Sequence, residues 1–240
     1  MSQIILFLIL PLLVFKPTQE SQMAKQENKH ILLLGASIGR GWDISLLPER
    51  IENYGFTFEY FHGGSAFDKS ERLREVIARG EKKPDAVFLK ECAAYFPGNF
   101  EHYKSLIEQW VKDCREANVV PIPVTVVPVT RLHSLKKFAI DIVKLRNPFK
   151  QGNPFKARRQ RAILEYNDWI RIFCTQNDLT LLDLEQAVRK SEKDRYLRSK
   201  LAKIDGLHLN KKAYRILDQI VIPTLEKVQW RASGYEAQNK

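Results

Sequence analysis

The chain has 240 residues, of which 44% are hydrophobic, and this length supports one sizeable core but not two comfortable ones. Its three cysteines are odd in number and widely spaced, and no Cys/His cluster has zinc-like spacing, so neither a disulfide framework nor a structural metal is expected. The formal net charge is +11, and the segment from Arg131 to Arg161, with ten Lys and Arg against one acid, carries most of it. The basic character therefore belongs to one segment rather than to the whole fold.

The N-terminal segment has an apolar run at residues 4–15, IILFLILPLLVF. A membrane span needs about 20 apolar residues, so this run has the length of a signal-peptide core and is too short to cross a bilayer. No Lys or Arg precedes it, and Met23 offers an alternative start. We therefore expect residues 1–27 to be a signal peptide or a disordered leader. The protein is exported, periplasmic or secreted, if the signal is real, and cytoplasmic otherwise.

Beyond the leader, short apolar segments alternate with helical patterns. The pattern predicts strands over 31–34, 56–61, 85–89, 119–129 and 180–184, and helices over 70–79, 100–118, 157–177 and 211–228. Such alternation is typical of an α/β domain, here residues 28–230, with a parallel sheet covered on both faces and a flexible tail at 231–240. In such sheets ligands bind beyond the carboxyl ends of the strands.

The first candidate residue is Ser37, which follows the first predicted strand within the sequence GASIG. This is a literal match to G-x-S-x-G, the motif of the nucleophile elbow in α/β-hydrolases. Serine after a strand is also a common helix N-cap, and the motif arises by chance. Ser37 alone therefore leaves a nucleophile and a cap as alternatives.

The second candidate is the run Asp205-Gly-Leu-His208, just before the last predicted helix. A histidine that activates a serine needs a partner on its other ring nitrogen, and an aspartate three residues earlier can supply it. A surface aspartate and a capping histidine would give the same pattern. The combination of a serine after strand one and this pair before the last helix is more specific than either feature.

The combination resembles the SGNH (GDSL) hydrolase family, from about residue 30 to 228. The strongest matches are Leu33-Leu-Gly-Ala-Ser37 and Asp205-Gly-Leu-His208-Leu-Asn. The resemblance implies a three-layer, flavodoxin-like α/β fold with a five-stranded parallel sheet. It also implies Ser37 as nucleophile, His208 as general base and Asp205 as the group that orients it, with no metal or organic cofactor. In α/β-hydrolases the elbow comes mid-chain, so the G-x-S-x-G match is coincidental in form.

The oxyanion hole is where the sequence departs from the family. Besides the Ser37 N–H, the family uses a backbone N–H from a second block, for which Gly64, or Ala66 in another register, is the match. A third block normally carries an asparagine, and here the chain has Lys90-Glu91-Cys92. Register places Cys92 where the asparagine is expected. A thiol is a poor donor and an ionised carboxylate is none, so either another group substitutes for the asparagine or the enzyme is slow. The three residues are candidates to face the substrate, and Lys90 could supply positive charge in place of the asparagine.

The resemblance implies a serine esterase acting on an acetyl or other short acyl ester, of a small molecule or a carbohydrate. Two alternatives remain at this point. The domain could be degenerate and bind a glycan or an anionic surface without turnover, which the Lys90-Glu91-Cys92 block favours. It could also be an acyltransferase that uses the same three residues, which sequence does not distinguish from hydrolysis.

The basic segment at 131–161 contains Leu135, Phe138, Ile142 and Leu145 at helical spacing, surrounded by lysines and arginines. One interpretation is a cationic amphipathic helix that brings an anionic glycan or lipid surface to the site. The other is a solvated helix whose apolar stripe packs on the sheet edge. Nucleic-acid binding is not expected, because no recognised nucleic-acid module is present.

Overall fold

Four parallel strands form the sheet in the part of the chain that the computed structural model describes, namely residues 28–52, 55–62, 68–92, 99–147 and 158–230. The strands are β1 (Lys29–Gly35), β2 (Phe56–His62), β3 (Ala86–Lys90) and β4 (Val120–Val124). Their spatial order is β2-β1-β3-β4. The predicted leader, the predicted tail, Gly64 and Ala66 lie outside the described residues.

Strand β1 lies at the centre of the fold because it pairs with β2 on one side and β3 on the other. Four consecutive apolar residues, Ile31 to Leu34, are fully buried in it. Side chains alternate between the two faces of a strand, so Ile31 and Leu33 enter one core cluster and Leu32 and Leu34 enter the other. This is the pattern of a parallel sheet covered on both faces.

The helices form the two outer layers. The described helices are α1 (Ser37–Trp42), α2 (Leu47–Arg50), α3 (Ser70–Ile77), α4 (Phe100–Glu116), α5 (Arg131–Val143), α6 (Arg158–Gln176), α7 (Leu184–Val188) and α8 (Lys211–Leu225). Trp42 and Leu217 pack α1 and α8 against one face of the sheet, while Leu73, Trp110 and Ile163 pack α3, α4 and α6 against the other. The predicted three-layer α/β architecture is therefore confirmed.

The predicted fifth strand, 180–184, is reduced to an isolated parallel bridge between Leu182 and Val124. The Asp183 side chain accepts a hydrogen bond from the Gln186 N–H and caps α7, so the chain turns into a helix after one bridging residue. Leu182 still occupies the place of a fifth strand beside β4. The sheet of the described residues has four strands rather than the five expected.

Strand β4 is also shorter than predicted, ending at Val124 instead of Val129. The following residues stay buried, but their backbone is satisfied by side-chain amides rather than by a strand. The Val126 N–H donates to Oδ1 of Asn167 at 2.7 Å, and the Val129 N–H donates to Oε1 of Gln160 at 2.9 Å. Buried backbone groups need partners, and here α6 supplies them.

Candidate active site

Ser37 lies at the carboxyl edge of the sheet, as the first residue of α1 and two residues after the end of β1. Its side chain is exposed. The Ala36 carbonyl before it accepts hydrogen bonds from the Tyr60 hydroxyl at 3.1 Å and from the Arg40 N–H at 2.9 Å, which fixes the turn. Among the described residues, neither the hydroxyl nor the N–H of Ser37 has a hydrogen-bond partner, so both groups are available to a substrate.

The second glycine of GASIG has a packing explanation. Gly39 is buried in α1, and a Cβ at this position would lie 2.9 Å from Cε2 of the Tyr60 ring. Glycine therefore allows α1 to approach β2 closely. This contact places the Tyr60 hydroxyl against the turn that carries Ser37.

Asp205 and His208 form the expected pair. Nδ1 of His208 lies 2.7 Å from Oδ2 of Asp205. The other carboxylate oxygen, Oδ1, accepts from the backbone N–H groups of Leu207 at 2.8 Å and His208 at 2.9 Å. Gly206 turns the loop with φ +67°, a conformation that favours glycine. The carboxylate is thus held in place by its own loop while it holds the imidazole.

Hydrogen bonding keeps Asp205 ionised. Its partial burial alone would raise its pKa, but the bonds from the His208 ring and from the N–H groups of His208 and Leu207 outweigh this and lower the pKa to about 2. The group is a carboxylate throughout the neutral range. It can therefore accept the Nδ1 proton of His208 and leave Nε2 free to receive a proton from a serine.

Two residues that the sequence analysis did not single out support this loop. The Thr130 N–H donates to the Gly206 carbonyl at 2.9 Å. Nδ1 of His133 lies 2.9 Å from the carbonyl oxygen of Asp205, which requires a proton on that nitrogen. Both residues come from the start of α5, about 70 positions earlier in the chain, so no local spacing in the sequence pointed to them.

Contacts between α1 and α8 bring the serine and the histidine to neighbouring elements. Nε1 of Trp42 donates to Asp218 Oδ1 at 2.8 Å, and Arg50 binds the same carboxylate from its Nε at 2.8 Å. A Cβ at Gly41 would lie 2.5 Å from the Tyr214 hydroxyl, so the two helices touch. His208 stands three residues before α8.

Within the described residues, no hydrogen bond joins Ser37 to His208. The structure therefore brings Asp205 and His208 into direct contact and places Ser37 on an adjoining element at the same edge. Gly64, the expected second oxyanion donor, lies outside the described residues.

Lys90 is the last residue of β3, the strand beside β1, and Glu91 and Cys92 follow it. Lys90 and Glu91 are buried, with exposed fractions of 2% and 0%, whereas Cys92 is partly exposed. Glu91 Oε2 accepts from the Tyr103 hydroxyl at 2.9 Å and from Lys69 Nζ at 3.2 Å. Of the three residues, only Cys92 has an accessible side chain.

Burial lowers the pKa of Lys90 to about 8, an effect that the nearby Cys92 and Glu91 oppose. Its Nζ donates to the Glu91 backbone carbonyl at 2.8 Å. The second carboxylate oxygen of Glu91, Oε1, is buried without a hydrogen-bond partner among the described residues. Near the position of the family asparagine, Lys90, Glu91 and Lys69 thus form a buried charged cluster.

Two further features bear on which ligands the described residues could hold. No group of three or more His, Cys, Asp or Glu in the described part of the chain is arranged to bind a metal ion. A cavity of about 350 Å³ lies at the amino edge of the sheet, lined in part by Lys29, Asp85 and Trp230. It is at the opposite edge from Ser37 and does not belong to this site.

Known structures share this fold. No protein-family model matches the sequence, and no curated protein matches it. A GDSL-like lipase of Bacteroides thetaiotaomicron superposes with a TM-score of 0.60 at 17% identity, covering 83% of this chain and 89% of the lipase. A lipase/acylhydrolase of Enterococcus faecalis gives 0.55 at 14%, covering 85% and 100%. An acetyl xylan esterase gives 0.55 at 17%, covering 82% and 99%. The chain therefore has the fold of the SGNH (GDSL) hydrolases, as its sequence predicted.

Proposed function

We propose that this protein is a serine hydrolase that cleaves carboxylic esters, with Ser37, His208 and Asp205 as its catalytic residues. The observation that carries the proposal is the 2.7 Å contact between Asp205 and Nδ1 of His208, at the edge where the exposed Ser37 begins α1. The fold shared with lipases, acylhydrolases and an acetyl xylan esterase supports the same reaction class. Catalytic hydrogen bonds are often long in ligand-free enzymes, so an unbonded Ser37 is compatible with this role.

In the proposed mechanism, the Ser37 hydroxyl attacks the ester carbonyl while Nε2 of His208 takes its proton. The resulting imidazolium is stabilised by the ionised Asp205, whose pKa of about 2 keeps it charged. His208 then protonates the leaving alcohol, and an acyl group remains on Ser37. A water molecule, deprotonated by His208, hydrolyses this acyl-enzyme and restores the serine.

The oxyanion of the tetrahedral intermediate would rest on the backbone N–H of Ser37 and on that of Gly64. A third donor is harder to assign, because Glu91 is buried and already accepts from Tyr103 and Lys69. Loss of one oxyanion donor costs about 10²- to 10³-fold in kcat. We therefore expect slow turnover compared with an enzyme that carries all three donors.

We further propose an acetyl or other short acyl ester as substrate, on a small molecule or a carbohydrate. The acetyl xylan esterase among the proteins of similar fold supports an acetyl group. The lipases of the same fold support longer acyl chains, so a series of p-nitrophenyl esters from acetate to decanoate would define the preferred length.

Labelling with a fluorophosphonate tests the serine mechanism directly. The reagent should label the intact protein and fail to label Ser37→Ala. Ser45→Ala is a matched control, since Ser45 is also exposed and lies nearby, with its hydroxyl hydrogen-bonded to Asp43. Equal labelling of the intact protein and Ser37→Ala, or no labelling of either, would refute the assignment of Ser37.

A second candidate function is ligand binding without turnover, which the buried charged cluster favours. Cys92 stands where the family asparagine is expected and its thiol is a poor donor, while the carboxylate of Glu91 beside it is buried and offers no donor when ionised. In that case the intact protein would fail to react with the fluorophosphonate and would show no Ser37-dependent hydrolysis of any ester in the series.

A further inference from the structure

The outward face of α5 is apolar and exposed. Leu132, Leu135, Ile142 and Val143 have exposed fractions of 54%, 46%, 50% and 81%. At 100° per residue, their spacing of 3, 10 and 11 positions from Leu132 places them on one side of the helix. We call these four residues the α5 stripe. Its exposure shows that these four residues do not pack on the sheet edge.

The opposite side of α5 makes the contacts with the rest of the protein. Ser134 is the buried residue of the helix, and Phe138 and Asp141 beside it are half-buried. The inner face of α5 therefore packs on the protein with few apolar groups, and most aliphatic side chains of the helix point to the solvent. Exposed apolar patches rimmed by polar residues are typical of interaction sites.

Lys136 borders the α5 stripe, and Lys144 and Arg146 lie at the C-terminal end of the helix. Lys136, Lys144 and Arg146 are exposed and have no carboxylate partner among the described residues. Lys137 pairs with Asp141 and Arg131 with Asp194, so these two cations are partly neutralised. The helix thus offers a band of aliphatic side chains beside uncompensated cations.

We propose that the α5 stripe and its neighbouring cations dock the protein on an anionic lipid surface. Aliphatic side chains enter the acyl boundary of a bilayer, and lysine and arginine bind anionic headgroups at the same depth. No described helix has the length and apolar character needed to cross a bilayer.

Two other occupants fit the surface less well. A polysaccharide would bury its hydroxyl groups against Leu135 and Ile142, which offer them no hydrogen-bond partner. A second copy of the chain would bring the same lysines and arginines together across a symmetric interface, and like charges repel. A lipid surface satisfies both the aliphatic and the cationic groups.

The position of α5 connects docking with the site. Thr130, which caps the helix through the His133 N–H at 3.1 Å, also donates to the Gly206 carbonyl, and His133 contacts the Asp205 carbonyl. Docking through α5 would therefore bring the Asp205–His208 loop close to the lipid surface. Docking itself does not rest on the proposed function, because it requires no turnover at Ser37.

Co-sedimentation of the full chain with vesicles tests the proposal. The protein should bind vesicles of phosphatidylglycerol and phosphatidylcholine and bind pure phosphatidylcholine vesicles much more weakly. The double variant Leu135→Ser/Ile142→Ser and the double variant Lys136→Glu/Lys144→Glu should each weaken binding by about tenfold or more. Ile172→Ser is the matched control, since Ile172 is 57% exposed on α6 and outside the stripe; it should bind like the intact protein.

Three results would overturn the proposal. The first is equal binding by the stripe variant and the Ile172→Ser control. The second is retention on an immobilised anionic polysaccharide that needs Lys136 and Lys144 but not the stripe, without vesicle binding. The third is a dimer, seen by light scattering, that the stripe variant abolishes while vesicles are not bound. Fluorophosphonate labelling of each variant reports separately on the serine site.

Discussion

At the scale of single residues, Asp205 carries two tasks with its two oxygens. Oδ1 binds the backbone of its own loop, and Oδ2 binds the His208 ring. The first bond set is structural and the second defines which ring nitrogen of His208 carries the proton. A substitution that preserves shape but changes the hydrogen-bonding character of the second oxygen should separate the two tasks.

Asp205→Asn is such a substitution. Its carbonyl oxygen can still accept from the loop, but its NH₂ group would donate to Nδ1 of His208 and leave the proton on Nε2, where it blocks acceptance from Ser37. We expect kcat for p-nitrophenyl acetate to fall by about 10³- to 10⁴-fold with little change in stability. Asp178→Asn, at an exposed aspartate with positive φ that asparagine tolerates, is the control. An unchanged kcat in Asp205→Asn would remove Asp205 from the catalytic residues.

Lys90 should make stability depend on pH. Its folded pKa of about 8 lies below the ordinary value of 10.5, so the unfolded chain binds more protons between these pH values. The free energy of unfolding should therefore be lower below pH 8 and should increase as the pH rises to 10.5. The free energy of unfolding of the intact protein minus that of Lys90→Met should rise by roughly 3 kcal/mol over this range.

Urea unfolding at several pH values from 7 to 10.5 measures this difference, and other titrating groups largely cancel in the comparison. Lys82→Met, at an exposed lysine, is the control and should show a nearly constant difference. A flat profile for Lys90→Met would mean that Lys90 titrates in the folded protein as it does in water.

The contact between Asp205 and His208 and the position of Ser37 after β1 were predictable because their signals are local. Ser37 follows an apolar strand, and Asp205 and His208 stand three residues apart, a spacing that lets the carboxylate reach the ring. The burial of Glu91 was not predictable, since its partners Lys69 and Tyr103 are 22 and 12 positions away. Local spacing carries no information about which distant side chains will enclose a charge.

At the scale of elements, the position of α1 against α8 depends on Asp218. This buried carboxylate accepts from Trp42 and from Arg50, so one side chain of α8 holds both ends of the Trp42–Arg50 segment. The segment begins five residues after Ser37. The geometry between the proposed nucleophile and its base therefore depends on this one carboxylate.

Asp218→Ala should release the segment. It leaves the indole N–H of Trp42 buried without an acceptor and the Arg50 guanidinium without its charge partner. We therefore expect a loss of about 3 kcal/mol in the free energy of unfolding. Under conditions where the variant remains folded, fluorophosphonate labelling of Ser37 should slow by about tenfold, because small misplacements of reacting groups are costly. Glu226→Ala, at an exposed glutamate after α8, is the control. Labelling at the rate of the control would show that Asp218 stabilises the fold without positioning Ser37.

The sequence predicted the ends of an element correctly where hydrophobic periodicity determines them. It predicted them incorrectly where contacts with distant residues determine them. The apolar stripe of α4 predicted a helix over 100–118, and the structure has Phe100–Glu116. The β-branched run after Val119 gave no sign that β4 ends at Val124, because a buried extended segment satisfied by Asn167 and Gln160 has the same composition as a strand. The predicted fifth strand does not form because Asp183 caps α7. In the sequence, Asp183 stands at the end of an apolar run, so the sequence pattern predicts it as part of the strand.

At the scale of the whole molecule, the two cores are coupled through β1. Because Ile31 and Leu33 enter one cluster and Leu32 and Leu34 the other, neither layer can lose its packing without disturbing the strand that both share. The alternation of strands and helices predicted this three-layer arrangement from the sequence. The coupling of the layers predicts a single cooperative unfolding transition.

Truncations on opposite sides of the sheet test this coupling. Leu217→Ala removes apolar volume from the α8 layer and Ile107→Ala from the α4 layer, and both side chains are fully buried. Each should lower the free energy of unfolding by about 2–5 kcal/mol through the lost burial and the cavity left behind. In urea, each should shift the midpoint of one transition without changing its slope.

Trp42 and Trp110 make the two layers separately observable, since they lie in different core clusters. Trp230 packs on the same cluster as Trp42, and Trp169 on the same cluster as Trp110. Tryptophan fluorescence of Trp42→Phe/Trp230→Phe should therefore follow the α4 layer, and that of Trp110→Phe/Trp169→Phe the α1/α8 layer. Each fluorescence curve should coincide with far-UV circular dichroism of the same variant. The control Leu46→Ala, at a 41% exposed leucine, should leave the midpoint nearly unchanged. Fluorescence and dichroism curves that separate in Leu217→Ala but not in Ile107→Ala would show that the α8 layer, which holds α1 and Ser37 in place, unfolds on its own.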